Sequence, residues 1–289
     1  MAGNAGNAGN AGNAGNAGNA GNAGNAGNVA SAWMFSDRVD LPFIAEPNVA
    51  AQRTGVTAFP QRNWGAEWYS WLALTEFAAT NWSAIAVPVP GPPTTAEMDA
   101  LITAALNERA DALGEIVAQN EEFLSYFMAV LGITPTSHPA TWRVLQIANL
   151  VALFVVMHFK GKHNRPRPSQ ICPALMPPIQ VPGHASHPSG HATQARLVGE
   201  CAKLVLPVLT SPPASAAAVA AAAATKAALS ADLDALARRI ARNREIAGLH
   251  YKSDSDDGAT LAVAILPLLN SAAVPRFTTA LTAAKAEWT

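Results

Sequence analysis

The apolar run from Val144 to Phe159 constrains this chain more than any other feature. It is interrupted only by Gln146, Asn149 and His158. The run is shorter than the roughly 20 residues needed to span a bilayer, and its polar side chains need partners, so it reads as a helix buried in a protein core. The rest of the chain supplies helical neighbours. Helical periodicity covers Ala66 to Trp82, Thr95 to Leu131, Pro139 to Lys160, Gly190 to Val208, Ala214 to Ala247 and Ser255 to Asn270, and several of these are long enough to divide in two. Pro-rich stretches at 88–93, 135–139, 173–182 and 212–213 punctuate them. Thr94 with Glu97 fits a capping box, and Ser137 before Pro139 fits a helix start. No segment holds the strand period for long, so the expected fold is all-α, a helical bundle.

Half of the 289 residues are apolar, enough for one buried core once the amino-terminal repeat is set aside. The expected organisation is a disordered repeat at 1–28 followed by a single helical catalytic domain at 29–289. Residues 2–28 are nine Ala-Gly-Asn triplets with no large apolar side chain to offset the entropy of ordering. Glycine at every third position has the collagen period, but a triple helix of this length without proline is weak. As a flexible tether the repeat spans about 30 Å. From Val29 to about Asn63, prolines mixed with Trp33, Phe35, Phe43 and Phe59 suggest an irregular segment lying over the core.

A net charge of -1, with 13% charged residues, gives no global attraction to nucleic acid or an anionic membrane. Cys172 and Cys201 match no metal-ligand spacing and read as packing residues. The alanine tract from Ala214 to Ala224 is apolar mainly by count, since alanine is foremost a helix former. The expectation is a soluble protein without a membrane span. No secretory signal is recognisable at the amino terminus, so the expected location is cytoplasmic, with export left open.

Chemistry concentrates in three segments: Lys160 to Pro168 (KGKHNRPRP), Pro188 to His191 (PSGH) and Arg244 to Asp254 (REIAGLHYKSD). An oxyanion with two or three charges, removed from water, needs several fixed donors, and Lys160, Arg167 and Arg244 provide three cations. Ser189 can cap a helix beginning at Gly190, whose backbone can approach an anion closely. His250 is the candidate for a direct bond to phosphorus or a metal oxyanion. Asp254 can hold its other ring nitrogen, and His191 is left for acid–base work.

In order and spacing these residues resemble the three-part signature shared by type 2 phosphatidic acid phosphatases, class A bacterial acid phosphatases and vanadium-dependent haloperoxidases. That pattern is Lys, six residues, Arg-Pro; Pro-Ser-Gly-His; and Ser-Arg, five residues, His, three residues, Asp. Lys160, Arg167, Pro168, Pro188, Ser189, Gly190, His191, Arg244, His250 and Asp254 match it, and Asn243 stands where the family has serine. The resemblance covers residues 160–254. It implies the helical bundle of that superfamily, with phosphate or vanadate held by Lys160, Arg167, Ser189, Gly190 and Arg244. It also implies that His250 is a phosphoryl-accepting nucleophile or the axial vanadium ligand.

Plainer readings compete at several positions. The basic run alone resembles a solvated turn or a nucleic-acid patch. His158 reads as a core or pocket-wall histidine and His138 as a loop residue, while His163 is undecided. His184, His187 and His191 could form a zinc cluster, but neighbouring cations would repel a divalent metal. His184 stands seven residues before His191, where bromoperoxidases of the resembling family carry histidine and chloroperoxidases tend to carry phenylalanine.

The resemblance does not separate the family's chemistries, because all use one oxyanion cradle. Expected solubility, the lack of a signal sequence and the run PGHASHPSGHA favour a vanadium-dependent bromoperoxidase, with vanadate as cofactor and hydrogen peroxide, halide and a small organic acceptor as partners. An acid phosphatase acting on phosphate esters through a phosphohistidine is the alternative. A third class, a self-associating structural protein, is suggested by the triplets and the Ala-rich helices, and homo-oligomerisation is compatible with any of the three.

Overall fold

The computed structural model describes residues 60–207 and 215–288, so the expectations for the repeat and for 29–59 lie outside the described residues. The described residues form an all-helical fold without strands: α1 (Ala66–Ala78), α2 (Thr95–Asn107), α3 (Arg109–Glu121), α4 (Leu124–Leu131), α5 (Pro139–His163), the single turn α6 (Pro168–Ile171), α7 (Gly190–Val205), α8 (Ala216–Ile246), α9 (Lys252–Leu269) and α10 (Pro275–Ala286).

The apolar run lies within α5, where Val144, Leu145, Ile147, Val151, Val155 and Val156 have no exposed surface. Its polar interruptions differ in fate. Asn149 is buried and accepts a hydrogen bond from Gln194 of α7 at 2.8 Å, whereas His158 is exposed and meets the Trp82 ring edge-on at 5.0 Å. The core-histidine expectation for His158 therefore fails: a helix this long shows one face to solvent near its end. α5 packs against α1, α7 and α10, and α7 against α5, α8 and α9. These two helices form the centre of the bundle.

The long helical expectation from Thr95 to Leu131 resolves into three helices. Thr94 and Glu97 form the anticipated capping box, with the Glu97 amide donating to Thr94 Oγ1 at 3.1 Å. Glu122 leaves the helical path and accepts from the Ser125 amide at 2.8 Å, starting α4. Gly132, at a φ of 67°, ends α4 in the left-handed conformation that glycine tolerates without a Cβ clash.

At the start of α5, Pro139 takes the first helical position. Ser137 does not cap it, because its hydroxyl accepts from the Thr134 amide at 2.9 Å. The cap comes from the far end of the chain: the Glu287 carboxylate accepts from the Ala140 and Thr141 amides at 2.6 and 2.8 Å. α10 itself was outside the expected helices. Its sequence offers only Phe277 and Leu281 as large apolar residues, with Ala280 and Ala284 completing the buried stripe.

Cys201 is buried, Cys172 half-buried, and both are free. Among the described residues two stretches are long and apolar enough to cross a membrane by length and composition, Pro139–Ile171 and Ala216–Ile246. The first is largely buried within the fold and the second largely exposed. Alanine methyl groups cover the exposed one, so it carries little apolar area per residue.

Ile147→Ala is expected to lower the unfolding free energy by about 2–5 kcal/mol through the cavity it leaves, whereas Ala223→Ser on the exposed part of α8 should cost no more than about 0.7 kcal/mol. Urea denaturation followed by circular dichroism measures both. Comparable losses at the two positions would contradict the placement of α5 at the centre.

Candidate oxyanion site

The site forms where the ends of α5, α7, α8 and α9 meet the loop between α6 and α7. α5 carries Lys160 in its last turn and stops at Asn164, whose φ of 48° turns the chain out of the helix. Arg165 lies outside any helix and Arg167 on extended backbone before Pro168 starts α6. This exit brings Lys160 and Arg167 onto one loop. The Lys160 ammonium donates to the carbonyls of Ala185 and Ser186 at 2.8 and 2.7 Å, and Arg167 Nε donates to the His184 carbonyl at 3.0 Å.

Ser189 is the N-cap of α7, accepting from the Ala192 amide at 3.4 Å. Its own amide donates to the Asp254 carbonyl at 2.9 Å, which ties the start of α7 to α9. Gly190 and His191 occupy the first two helical positions, where amides have no intrahelical acceptor. α9 approaches closely because residue 258 is glycine: a Cβ there would meet the Ser189 carbonyl at 2.8 Å. The His187–Pro188 peptide is cis.

His250 lies between two partners of opposite kind. Arg167 Nη1 is 3.3 Å from its Nε2, and Asp254 Oδ2 is 3.3 Å from its Nδ1. A guanidinium can only donate, so Nε2 is the acceptor and the proton resides on Nδ1, facing the carboxylate. Asp254 also accepts from Ser186 Oγ at 2.5 Å, the Tyr251 amide at 3.1 Å and Arg165 Nη1 at 2.7 Å. Burial alone would raise the Asp254 pKa, but the hydrogen bonds from His250 and Ser186 and the charge of Arg165 hold it well below the usual carboxylate range.

Arg244 leaves the end of α8 and is fully buried, with Nη2 donating to the Ile116 carbonyl of α3 at 2.7 Å. Its Nε and Nη1 are buried without a hydrogen-bond partner. His191 Nε2 lies 3.2 Å from the Gln119 carbonyl, one turn along α3, and so carries its proton there, leaving Nδ1 as the basic nitrogen. Burial, reinforced by Arg244, holds the His191 pKa well below its ordinary value, and burial with Arg167 does the same for His250. Burial also pushes Lys160 well down and lowers Arg167 and Arg244 to about 10.

His184 Nδ1 lies 3.1 Å from Arg167 Nη2 and 3.2 Å from the Ala185 carbonyl, contacts that call for opposite tautomers, and its Nε2 is buried without a partner. Burial and the charges of Lys160 and Arg167 lower its pKa to about 4. His184, His187 and His191 diverge: the first faces Arg167, the last Gln119, and His187 bridges His163 and Asp257 at 2.8 Å each. Among the described residues no group of three or more His, Cys, Asp or Glu is arranged for a metal ion.

Lys160, Arg167, His184, His191, Arg244, His250 and Asp254 lie in this region, and the structure adds others. Arg165 stacks 4.2 Å over the Tyr251 ring while pairing with Asp254 and, at 3.3 Å, with Glu97. Ser186 supports His250 and Asp254 together. Asn243 donates to Glu115 and to the Gln119 side chain at 2.9 Å each, anchoring the helix that positions His191. Arg165 was visible as part of a basic run, but Ser186 and Gln119 carry no sequence signal, since a lone serine or glutamine occurs anywhere.

The buried histidines set a pH dependence. Neutral imidazole is favoured in the folded state, so the stability from His184 is fully present above its unfolded value of 6.5 and is lost as pH falls toward about 4, with His191 and His250 acting in the same direction. Thermal unfolding temperatures measured across this window should fall with pH, and less steeply in His184→Phe. An unchanged slope in that variant would contradict the placement of His184. The chain matches no family model and no curated protein, and the chemistry of the site is carried by the residues described above.

Proposed function

We propose that the protein is an oxyanion-processing enzyme, a vanadium-dependent haloperoxidase of brominating type. One observation carries the reading: Lys160, Arg167 and Arg244 are at most 1% exposed, and none has a carboxylate hydrogen-bond partner among the described residues. The nearby carboxylate, Asp254, is bonded to Arg165. Uncompensated buried cations are costly, and a multiply charged anion offsets that cost. The two orphaned donors of Arg244 fit such an anion, and a divalent cation would be repelled.

Vanadate would be held by Lys160, Arg167, Ser189, Gly190 and Arg244, with His250 Nε2 as the ligand atom. When bound, it would supply a Lewis-acidic centre that activates hydrogen peroxide toward halide. The remaining work belongs to the chain. Asp254 fixes the His250 tautomer and raises the basicity of Nε2. His191, neutral through burial, exchanges a proton at Nδ1. His184, beside Arg167, would stand at the halide side of the site.

The same pair also suits an acid phosphatase: neutral His250 Nε2 would attack phosphorus as the ester P–O bond breaks, and His191, once protonated at Nδ1, would pass that proton to the leaving alkoxide and regain one there from the water that hydrolyses the phosphohistidine. Protein stripped of bound anion decides between the two. The haloperoxidase reading expects bromination with peroxide only after vanadate is added. Vanadate-free ester hydrolysis, inhibited by vanadate and without bromination, would replace it with the phosphatase.

Arg167→Ala or Arg244→Ala should weaken both phosphate and vanadate by about 1.5–3 kcal/mol in binding titrations. Binding that survives loss of both arginines would refute the cradle. His250→Ala should abolish turnover, while Asp254→Asn should remain folded with about 10- to 100-fold weaker anion binding or activity. His184→Phe should change bromide oxidation or its pH profile and leave vanadate affinity largely intact.

A further inference from the structure

A cavity of about 270 Å³ lies outside the cradle, in the groove between α7, α8 and α9. Its base is made of alanine methyls from all three helices: Ala192, Ala237, Ala241 and Ala259. Around that base stand Arg196, Arg238, Arg242 and Lys252 against two lining carboxylates, Glu245 and Asp256. Arg242 pairs with Glu245 at 2.9 Å and Lys252 with Asp256 at 2.6 Å. Arg196 is paired with Glu200 and Asp234, outside the lining. Arg242 also pairs with Glu108, outside the lining, and Arg238 is the lining cation without an ion pair among the described residues.

Two buried polar groups of the lining lack partners. Ser255 is 5% exposed and its Oγ makes no hydrogen bond, and Arg196 Nε is likewise buried and unbonded. Buried donors of this kind are costly when nothing meets them. An unmatched cation, two unmet donors and an apolar base call for an anion with a hydrocarbon body.

We propose that this groove is a second small-molecule site, taking an organic carboxylate whose ring or short chain rests on the alanines and whose charge meets Arg238, Arg196 Nε and Ser255. The volume lies at the small end of ligand pockets, which limits the occupant to about one ring. The proposal is independent of the chemistry assigned to the cradle, since none of the cradle residues lines the groove.

Calorimetric titration of the full chain with sodium benzoate tests it, with and without saturating inorganic phosphate to occupy the cradle. Saturable one-to-one binding that phosphate does not displace is expected. Arg238→Gln, an exposed position that leaves the fold intact, should weaken binding by about tenfold, the loss of one charge-assisted contact. Ala241→Phe should abolish it by filling the base, with helix content checked by circular dichroism. Lack of saturable binding at tens of millimolar benzoate would overturn the proposal, and so would benzoate that phosphate displaces while Arg238→Gln leaves its affinity unchanged.

Discussion

Three cations without a carboxylate of their own, enclosed by the ends of four helices, are the constraint around which this molecule is arranged. Charge removed from water is tolerated when hydrogen-bond acceptors surround it, and the fold delivers these as backbone carbonyls. Lys160 receives two from the loop before α7, Arg167 receives them from His184 and Leu249, and Arg244 receives one from Ile116. Carbonyl dipoles solvate a cation without cancelling its charge. The centre remains electropositive, which a cradle for anions requires and an ordinary buried salt bridge would defeat.

Asp254 shows how one buried carboxylate is kept from neutralising that centre. Arg165 balances it from the side, and Ser186 and the Tyr251 amide complete its coordination; it orients His250, and its charge offsets part of what burial takes from the Lys160 and Arg167 pKa values. The histidine then stands with its proton toward the acid and its lone pair toward the cations. A tautomer fixed in this way is a property of the assembled fold, since its determinants come from α5's exit, the loop before α7 and the start of α9.

Much of this was legible in the sequence, because side-chain chemistry at set spacings survives translation into structure. Lys160 and Arg167 converge because an Asn at φ 48° and an X-Pro pair redirect the chain, and Ser189 caps the helix that Gly190 begins. What escaped notice follows from physics that sequence patterns do not encode. Ile116 and Gln119 contribute carbonyl oxygens, which any residue could supply. Glu287 caps α5 from nearly 150 positions away, and α10 buries small residues whose apolar signal is weak. The exposure of His158 is not encoded either, because period alone does not tell which side of a long helix outlasts its neighbours.

Glu97 gives the arrangement a reach beyond the cradle. The carboxylate that closes the capping box of α2 also accepts from Ser253 and pairs with Arg165, the partner of Asp254. Melting the first turn of α2 would therefore remove a charge from Arg165 and release Ser253 in the same event. Fraying at an outlying helix and disorder around His250 are thereby linked equilibria, and the two regions should exchange their amide hydrogens as one cooperative unit.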